Sequence, residues 1–408
     1  MNKFLKEFKD RGFFYQCTGE DDLSKLLDKE KINSYIGFDC TAESLHIGSL
    51  LQIMCLRLLQ KHGHRPIVLL GGGTTRIGDP SGKDKTRTIL SEEEIEKNIK
   101  NIEKIIKNFL DNDSSKTKPI FVNNYTWLKD LNYISFLRDI GKHFTINKML
   151  SFDSVKTRLE REQSLSYMEF NYMILQAYDF LELNKKENCV LQMGGSDQWG
   201  NIVNGVDLIK RHSNKQAYGL TTPLITLASG AKMGKTESGA VWLDKKNLTP
   251  YDYWQFWRNI DDRDVLKFLK IFTDLSLEEI EKIKHQNINK LKIVLANETT
   301  SMLHGKGEAK KSEKTAMEAF SENSLGSELP TFSIDKKDLN KVNVIDLILL
   351  SKLEASKSEI RRLIKSKGVK INNQIISDEK LIITKDLFIE NFIKLSIGKK
   401  RHLRVNLT

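Results

Sequence analysis

Apolar and polar positions along the first half of the chain predict strands that alternate with helices. Residues 34–38 have the pattern of a strand, a helix follows over about 48–62, and 66–70 is a continuous apolar run. Such a run suits a strand that is buried on both faces. The order strand, helix, strand predicts a parallel α/β sheet.

Helix-start signals mark the later elements. Residues 91–94 (Ser-Glu-Glu-Glu) form a capping box, and isoleucines follow at steps of four and three on one helix face. A threonine cap followed by proline at 249–250 and a second capping box at 276–279 predict further helices. The region 250–325 is therefore predicted to be helical.

The last part of the chain has the pattern of a separate module. Residues 321–337 are rich in Asn, Ser and Gly and contain Pro330, which indicates a linker. A capping box at 356–359 then leads to Val369-Lys-Ile-Asn-Asn373, where the two asparagines suit a tight turn between short strands. The predicted domains are 1–249, a helical domain at 250–325, a linker at 326–341 and a small α/β module at 342–408.

Charge is concentrated in this module. The 408 residues carry a formal net charge of +11, and 341–408 alone hold fifteen Lys/Arg against seven Asp/Glu, which is +8. A basic terminal module is typical of nucleic-acid binding, although a solvated basic surface has the same composition. The chain has no apolar run of membrane-spanning length, no signal-peptide pattern at its start and no C-x-x-C pair among its four cysteines. We therefore expect a soluble cytoplasmic protein with no membrane partner.

The segment 35–50 carries the first candidate chemistry. It runs from a strand through a polar loop into a helix, with His46 just before the helix and Gly48 at its start. A helix start binds anions, and glycine lets a ligand approach the backbone closely. His46 could donate to phosphate oxygens there, but a structural histidine explains the same residue equally well.

A second candidate is the loop Lys232-Met-Gly-Lys235-Thr236, which glycines flank on both sides. Two mobile ammonium groups suit a loop that closes over a polyphosphate and neutralises departing pyrophosphate. Taken alone, a solvated charged loop explains it better. Together the two features indicate a phosphate-binding site, because both occur in one α/β chain.

These two segments resemble the HIGH and KMSKS signatures of class I aminoacyl-tRNA synthetases. Four further blocks are similar to the bacterial-type tyrosyl-tRNA synthetase family: Tyr35-Ile-Gly-Phe-Asp-Cys-Thr, the glycine-rich run 72–82, Tyr172-Met-Ile-Leu-Gln-Ala-Tyr-Asp179 and Gly194-Gly-Ser-Asp-Gln-Trp-Gly-Asn201. The tail resembles the S4 RNA-binding module. The resemblance implies a Rossmann-type parallel-sheet catalytic domain with an inserted helical segment, a helical domain and a small α/β S4-like RNA-binding domain.

The resemblance also assigns a tyrosine site. It places the substrate hydroxyl at Tyr35 and Asp179, the ammonium among Tyr172, Gln176 and Asp79, and the carboxylate near Gln198. The residues themselves support one wall, because positions 172, 176 and 179 fall on one face of a single helix. An aromatic stripe packed in the core is the other explanation of that face, but Gln and Asp there need polar partners.

For ATP, the resemblance implies contacts that are listed here by substrate group. Thr41, His46 and Gly48 would meet the phosphates, Asp39 would lie near the α-phosphate, Gly195 and Asp197 would hold the ribose, and Lys83, Arg87, Lys232 and Lys235 would surround the pyrophosphate. His46, Lys232 and Lys235 are the predicted catalytic residues, acting by charge and position and not as acid or base. Mg²⁺ is expected to accompany ATP, and no protein metal site or bound organic cofactor is expected.

Three positions depart from the family pattern: Ser49 replaces the second histidine of HIGH, and Ile36 and Gln52 stand where some relatives place polar ribose contacts. The predicted function is nevertheless that of a tyrosine–tRNA ligase acting on L-tyrosine, ATP and tRNA(Tyr). The resemblance also implies a homodimer formed through the region near residues 127–150. Two alternatives remain at this point, a tryptophan-specific synthetase and a non-catalytic RNA-binding protein on the same scaffold.

Overall fold

The structure is a computed structural model, and it describes residues 1–79, 90–113, 116–230, 233–236, 239–320, 329–354, 356–398 and 401–408. Within these ranges only the backbone is described for residues 153, 154, 235, 236, 239, 319 and 320. The chain divides into two compact units. The first contains Met1–Leu248 and Ile260–Leu295, and the second contains Thr249–Asn259 and Ala296–Thr408.

The elements follow in chain order. The helices are α1 Lys3–Asp10, α2 Glu20–Lys29, α3 Ile47–Lys61, α4 Gly72–Thr75, α5 Glu92–Lys107, α6 Tyr125–Leu128, α7 Tyr133–Asp139, α8 Ile146–Leu150, α9 Asp153–Glu160, α10 Tyr167–Glu187, α11 Trp199–Ser213, α12 Pro250–Arg258, α13 Val265–Phe272, α14 Leu277–Ile283, α15 Ile288–His304, α16 Lys306–Phe320, α17 Val344–Leu350 and α18 Lys357–Lys365. The strands are β1 Gln16–Cys17, β2 Asn33–Phe38, β3 Arg65–Leu70, β4 Ile120–Asn123, β5 Cys189–Gly195, β6 Tyr218–Thr222, β7 Lys235–Thr236, β8 Gly239–Ala240, β9 Thr331–Ile334, β10 Val369–Ile371, β11 Gln374–Ile375, β12 Phe392–Ile397 and β13 Arg401–Leu407.

The first unit is built on a six-stranded sheet of order β1-β6-β5-β2-β3-β4, in which only β1 pairs antiparallel among the described strands. Tyr35 on β2 lies opposite Ile67 on β3, and both belong to the core that α10 covers. The alternate residues Ile36 and Val68 are equally buried. Both faces of the sheet are therefore covered, and the predicted parallel α/β fold is confirmed.

The chain order reverses between β2 and β5 in this sheet. From β2 the strands proceed outward to β3 and β4, whereas β5 and β6 lie on the other side. In open parallel sheets the carboxyl ends of the strands at such a switch point form a crevice. Asp39 directly follows β2, Gly71 follows β3 and Gly195 ends β5. These residues therefore mark the place where a site is expected.

Local signals set the helix boundaries. At the start of α5, Ser91 Oγ accepts from Glu94 N at 3.3 Å, and the Glu94 carboxylate accepts from Ser91 N at 2.8 Å. Thr249 caps α12 ahead of Pro250, and a capping box starts α14. These three predicted starts are confirmed. The box predicted for α18 forms only in part, because Ser356 accepts from Glu359 N while the Glu359 carboxylate binds Arg362 at 2.6 Å.

The second unit contains a five-stranded sheet of order β11-β10-β12-β13-β9. The predicted turn between β10 and β11 is confirmed, since Asn372 and Asn373 both have positive φ angles of 49° and 69°. The short strand β9 lies inside the segment predicted as a linker. It pairs in parallel with β13, and buried Ile334 joins the module's own core. The four-part domain division stays a prediction.

Within the described residues, no helix is both long enough and apolar enough to cross a membrane.

Candidate functional site

A cavity of about 530 Å³ opens at the carboxyl ends of β2, β3 and β5. This volume is in the usual range for small-molecule sites. Twelve of the predicted site residues line it: Tyr35, Asp39, Thr41, His46, Gly48, Asp79, Tyr172, Gln176, Asp179, Gly195, Asp197 and Gln198. Lys83, Arg87 and Lys232 lie outside the described residues, and only the backbone of Lys235 is described. The structure thus brings together residues from four separate segments of the chain, and their individual roles stay predictions.

Asp179 lies in the buried part of the cavity wall, where two neutral donors hold its carboxylate. Asn124 Nδ2 donates to it at 2.9 Å and Trp127 Nε1 donates at 2.7 Å. Tyr35 packs against Phe180 with ring centroids 5.3 Å apart, and its hydroxyl is buried without a hydrogen-bond partner among the described residues. A buried hydroxyl group without a hydrogen-bond partner costs free energy unless a bound molecule supplies that partner.

Sequence reasoning missed Asn124 and Trp127. Asn124 directly follows β4, which the hydrophobic pattern did not single out, and Trp127 lies on the short helix α6. The position of Asn124 at the carboxyl end of a strand beside β3 was the available signal. Its side chain also accepts from Gly73 N at 2.7 Å, so it joins the glycine-rich loop to Asp179.

Burial raises the pKa of Asp179 to about 7. The hydrogen bonds from Asn124 and Trp127 oppose this rise, while the charges of Asp39 and Glu182 add to it. The carboxyl group is therefore half protonated near neutral pH and becomes a full hydrogen-bond acceptor only above it.

This titration predicts pH-dependent selection of a hydroxyl-bearing ligand. A ligand hydroxyl donates to the ionised carboxylate, so preference for it over an analogue without the hydroxyl should rise through pH 7 and level off above. Below pH 7 the ratio of kcat/KM values should fall by up to about tenfold per unit. Two ligands that differ only in this hydroxyl are the pair to compare between about pH 5.5 and 8.5. A ratio that is constant over this range would contradict the assignment.

The wall formed by α10 continues from Asp179 to Gln176 and Tyr172. Tyr172 Oη donates to Asp39 at 3.1 Å, and burial with nearby carboxylates raises the Tyr172 pKa well above its usual value. Asn201 Nδ2 donates to Gln176 Oε1 at 3.0 Å. The face predicted from residues 172, 176 and 179 is thus confirmed as a cavity wall.

Two further polar contacts complete this part of the cavity. Gln198 Nε2 donates to Asp79 at 2.9 Å, and Thr74 Oγ1 donates to Asp39 at 2.8 Å. Thr74 and Asn201 were not predicted, because each is a single polar residue within a glycine-rich loop or a helix. With Asp39, Asp79 and Asp179 on one cavity, the electrostatics favour a cationic group of the ligand.

His46 is the N-cap of α3. Its Nδ1 accepts from Gly48 N at 3.0 Å, and its ring meets Trp242 edge-on with centroids 6.4 Å apart. With Nδ1 accepting, the proton of the neutral ring lies on Nε2, which can donate. A Cβ atom at residue 48 would lie 2.6 Å from His46 Cε1. Glycine is therefore required for the imidazole to keep this position.

Backbone hydrogen bonds hold the second motif beside the first. Ile47 N donates to Val241 O at 2.8 Å, and Val241 N donates to Gly234 O at 3.2 Å. Gly234 has a φ of +103°, and a Cβ there would lie 3.1 Å from Gly48 N. The strands β7 and β8, which carry the Lys235 backbone, pair with each other. The two signature segments are thus adjacent in space.

The three departures from the family pattern all lie near the cavity. Ser49, Gln52 and Ile36 line it, and Gln52 Nε2 donates to Thr222 Oγ1 at 2.9 Å. The Gln52 amide is therefore anchored to β6.

Among the described residues there is no group of three or more His, Cys, Asp or Glu side chains arranged to hold a metal ion.

Comparisons with known proteins agree over the whole chain. A family model described as tRNA synthetases class I (W and Y) matches residues 27–321, and one described as the tyrosine–tRNA ligase SYY-like C-terminal domain matches residues 321–405. The chain is 80% identical to the tyrosine–tRNA ligase of Pelagibacter ubique (strain HTCC1062) over 100% of both chains. It is 54% identical to that of Wolbachia pipientis subsp. Culex pipiens (strain wPip), over 99% of this chain and 97% of the relative.

The fold comparison points the same way. The structure is similar to a C-terminally truncated mitochondrial tyrosyl-tRNA synthetase of Aspergillus nidulans, with a TM-score of 0.70 and 30% sequence identity. The similarity covers 78% of this chain and 94% of that one.

Proposed function

Because the chain belongs to the tyrosyl-tRNA synthetase family of class I aminoacyl-tRNA synthetases and is a tyrosine–tRNA ligase, we propose that the cavity of its first unit is the site where L-tyrosine reacts with ATP. The products are tyrosyl-adenylate and pyrophosphate, and the tyrosyl group then passes to the 3′ end of tRNA(Tyr). The observation that carries this proposal is the pair of Asp179, oriented by two donors, and the buried Tyr35 hydroxyl.

In this proposal the tyrosine side chain enters between β2 and α10. Its hydroxyl donates to Asp179 and accepts from Tyr35. Its ammonium group lies among Tyr172, Gln176 and Asp79, and Gln198 is close to its carboxylate. The arrangement selects tyrosine over phenylalanine because a missing hydroxyl would leave buried polar groups unpaired. A tryptophan side chain could donate its indole N–H to Asp179, but it has no acceptor for the Tyr35 hydroxyl and so cannot use both members of the pair.

ATP is proposed to occupy the end of the cavity near the start of α3. Phosphates would meet Thr41, His46 and the Gly48 backbone, Asp39 would lie near the α-phosphate, and Gly195 with Asp197 would hold the ribose. The helix start and the His46 Nε2 donor favour the charge that grows on the phosphates as the tyrosine carboxylate attacks.

The pyrophosphate is proposed to leave toward four cations: Lys83, Arg87, Lys232 and Lys235. Mg²⁺ is proposed as the ion that ATP carries on its phosphates, and no step is assigned to it. Catalysis then consists of positioning and charge stabilisation, and no residue acts as a nucleophile, acid or base.

Two substitutions of His46 distinguish its role as the N-cap of α3 from its proposed role in adenylate formation. Asn is a good N-cap, so His46→Asn should keep the free energy of unfolding, whereas His46→Ala should lower it by about 1 kcal/mol. Both should slow adenylate formation by about 10²-fold, because both remove the Nε2 donor. Denaturant titration and single-turnover kinetics measure the two effects. Wild-type chemistry in His46→Asn would show that the histidine serves only as a cap.

We also propose a homodimer that forms through exposed apolar residues of the first unit, here called the apolar patch. Its members share high exposure and lie between residues 133 and 168: Tyr133, Ile134, Leu137, Ile146, Leu150, Leu159, Tyr167 and Met168. The patch includes much of the predicted contact region 127–150 and extends beyond it into α9 and α10. Exposed apolar patches of this kind mark protein interfaces.

The dimer is tested by placing a charge in the patch. Ile134 is 70% exposed, so Ile134→Lys should fold normally but sediment as a monomer. Met317, an exposed apolar residue of the second unit at 58%, provides the matched control, and Met317→Lys should leave sedimentation unchanged. A dimer that persists in Ile134→Lys at low micromolar concentration would contradict this location of the interface.

The cytoplasm is the proposed compartment, since the four cysteine thiols are free and the substrates are cytoplasmic.

Amino-acid-dependent ATP–pyrophosphate exchange tests the function of the cavity. It should depend on tyrosine and fall strongly in Gln176→Ala. Exchange that depends on tryptophan, or that continues at the wild-type rate in Gln176→Ala, would contradict the proposal.

A further inference from the structure

The C-terminal module contains a stretch without acidic residues. Between Glu359 and Asp378 lie eighteen residues, 360–377, with five Lys or Arg and no Asp or Glu. This stretch covers most of α18, the turn after it, and the hairpin of β10 and β11. Its charge of +5 accounts for more than half of the +8 carried by residues 341–408.

The cations of this region differ in their surroundings. Three of the four cations of α18 are paired with acidic side chains: Lys357 with Asp346 at 3.3 Å, Arg361 with Glu379 at 3.5 Å and Arg362 with Glu359 at 2.6 Å. Lys365, Lys367 and Lys370 are exposed, and within the described ranges none of them has an ion-pair partner. We call these three lysines the turn patch.

Local structure presents the turn patch on one short segment. Lys365 is the last residue of α18, and Lys367 adopts a left-handed conformation with a φ of +60° in the turn that follows. Gly398 N donates to Gly368 O at 2.6 Å, which attaches this turn to the end of β12. On β10, exposed Lys370 alternates with buried Val369 and Ile371, so it lies on the face of the sheet opposite to theirs.

We propose that the turn patch, and not the three paired cations of α18, contacts the phosphate backbone of the bound tRNA. An unpaired exposed lysine releases counterions from a phosphate without first breaking an ion pair of its own. The paired cations of α18 must give up an acidic partner to make the same contact. This proposal rests on the proposed function, because it names the surface that holds the RNA substrate.

The test is a triple substitution with a matched control in the same module. Lys365→Gln, Lys367→Gln and Lys370→Gln together remove three charges from the turn patch. Lys341→Gln, Lys380→Gln and Lys385→Gln remove three exposed charges that have acidic residues close by in sequence. Binding of tRNA(Tyr) transcript to each full-length protein is measured by titration between about 50 and 300 mM salt.

The turn-patch variant should bind tRNA about 10- to 100-fold more weakly at 0.1 M salt, and the slope of log K against log salt should fall by about 2 to 3. The control variant should change affinity by less than about threefold. Equal losses in both variants, or no loss in the turn-patch variant, would overturn the proposal. Weakened binding to anionic vesicles with unchanged tRNA binding would overturn it too, in favour of a lipid surface.

Pyrophosphate exchange keeps this proposal separate from the assignment of the cavity. Both triple variants should exchange pyrophosphate at the wild-type rate, because the turn patch contains no residue of the cavity. If the wild-type protein lacks tyrosine-dependent exchange, the proposed function fails. If exchange is normal while the turn-patch variant charges tRNA with an unchanged KM, only the turn-patch proposal fails.

Discussion

Asp179→Asn is expected to reduce the preference for tyrosine over phenylalanine by about 10- to 100-fold. Asn124 and Trp127 both donate to Asp179, and an asparagine has one acceptor oxygen where the carboxylate has two. The amide must therefore turn its NH₂ toward a donor or toward the substrate hydroxyl. A lost hydrogen bond to a charged group costs about 1.5–3 kcal/mol, which is the source of the expected factor.

Tyr35→Phe should reduce the preference as well, because it removes the other hydroxyl partner. The selection of a hydroxyl by buried polar groups is stronger than any selection by apolar size, and tyrosyl-tRNA synthetases are the standard example of this asymmetry. Tyr178→Phe is the control, since Tyr178 lies on the same helix but outside the cavity and packs against Phe136. Exchange kinetics with both amino acids decide the outcome. Unchanged selectivity in both Asp179→Asn and Tyr35→Phe would refute the assigned hydroxyl site.

Removal of residues 329–408 is expected to lower kcat/KM for tRNA charging by at least about a hundredfold. Tyrosyl-adenylate formation should stay nearly unchanged. The truncation begins before β9 because this strand pairs with β13. Removing only residues 341–408 would leave β9 in place without its partner strand. The removed module has its own apolar core, formed by residues from Ile334 to Leu407. It carries the turn patch and none of the cavity residues.

Aminoacylation and pyrophosphate exchange are compared on the truncated protein after circular dichroism has confirmed its fold. Exchange at the wild-type rate without charging is the expected combination. Charging at the full-length rate would mean that the basic module does not anchor the tRNA. The affinity of the full-length chain for tRNA should also fall with salt, whereas tyrosine binding should hardly change.

Features that depend on neighbouring residues in the sequence were predictable from it. The two confirmed capping boxes, the turn at Asn372 and the cavity wall of α10 all depend on spacings of seven residues or fewer. The parallel sheet followed from the order of buried strands and helices. The resemblance to family motifs identified most of the segments that line the cavity, and the structure brings those segments together.

The residues that sequence reasoning missed act across longer distances. Asn124 and Trp127 reach Asp179 over 55 and 52 positions, and Thr74 reaches Asp39 over 35. Such pairs depend on strand order and register, which no local pattern encodes. The strand β9 was missed for the same reason, since four residues become a strand only because β13 provides the partner.

A crystal structure of the protein with a non-hydrolysable tyrosyl-adenylate analogue is the most direct test of the site. The account predicts the phenol oxygen within about 3.2 Å of both Tyr35 Oη and the Asp179 carboxylate. It also predicts the amino group beside Gln176 and the phosphate mimic at the His46 end of the cavity. A phenol ring bound in another orientation, or an analogue bound outside this cavity, would contradict the account.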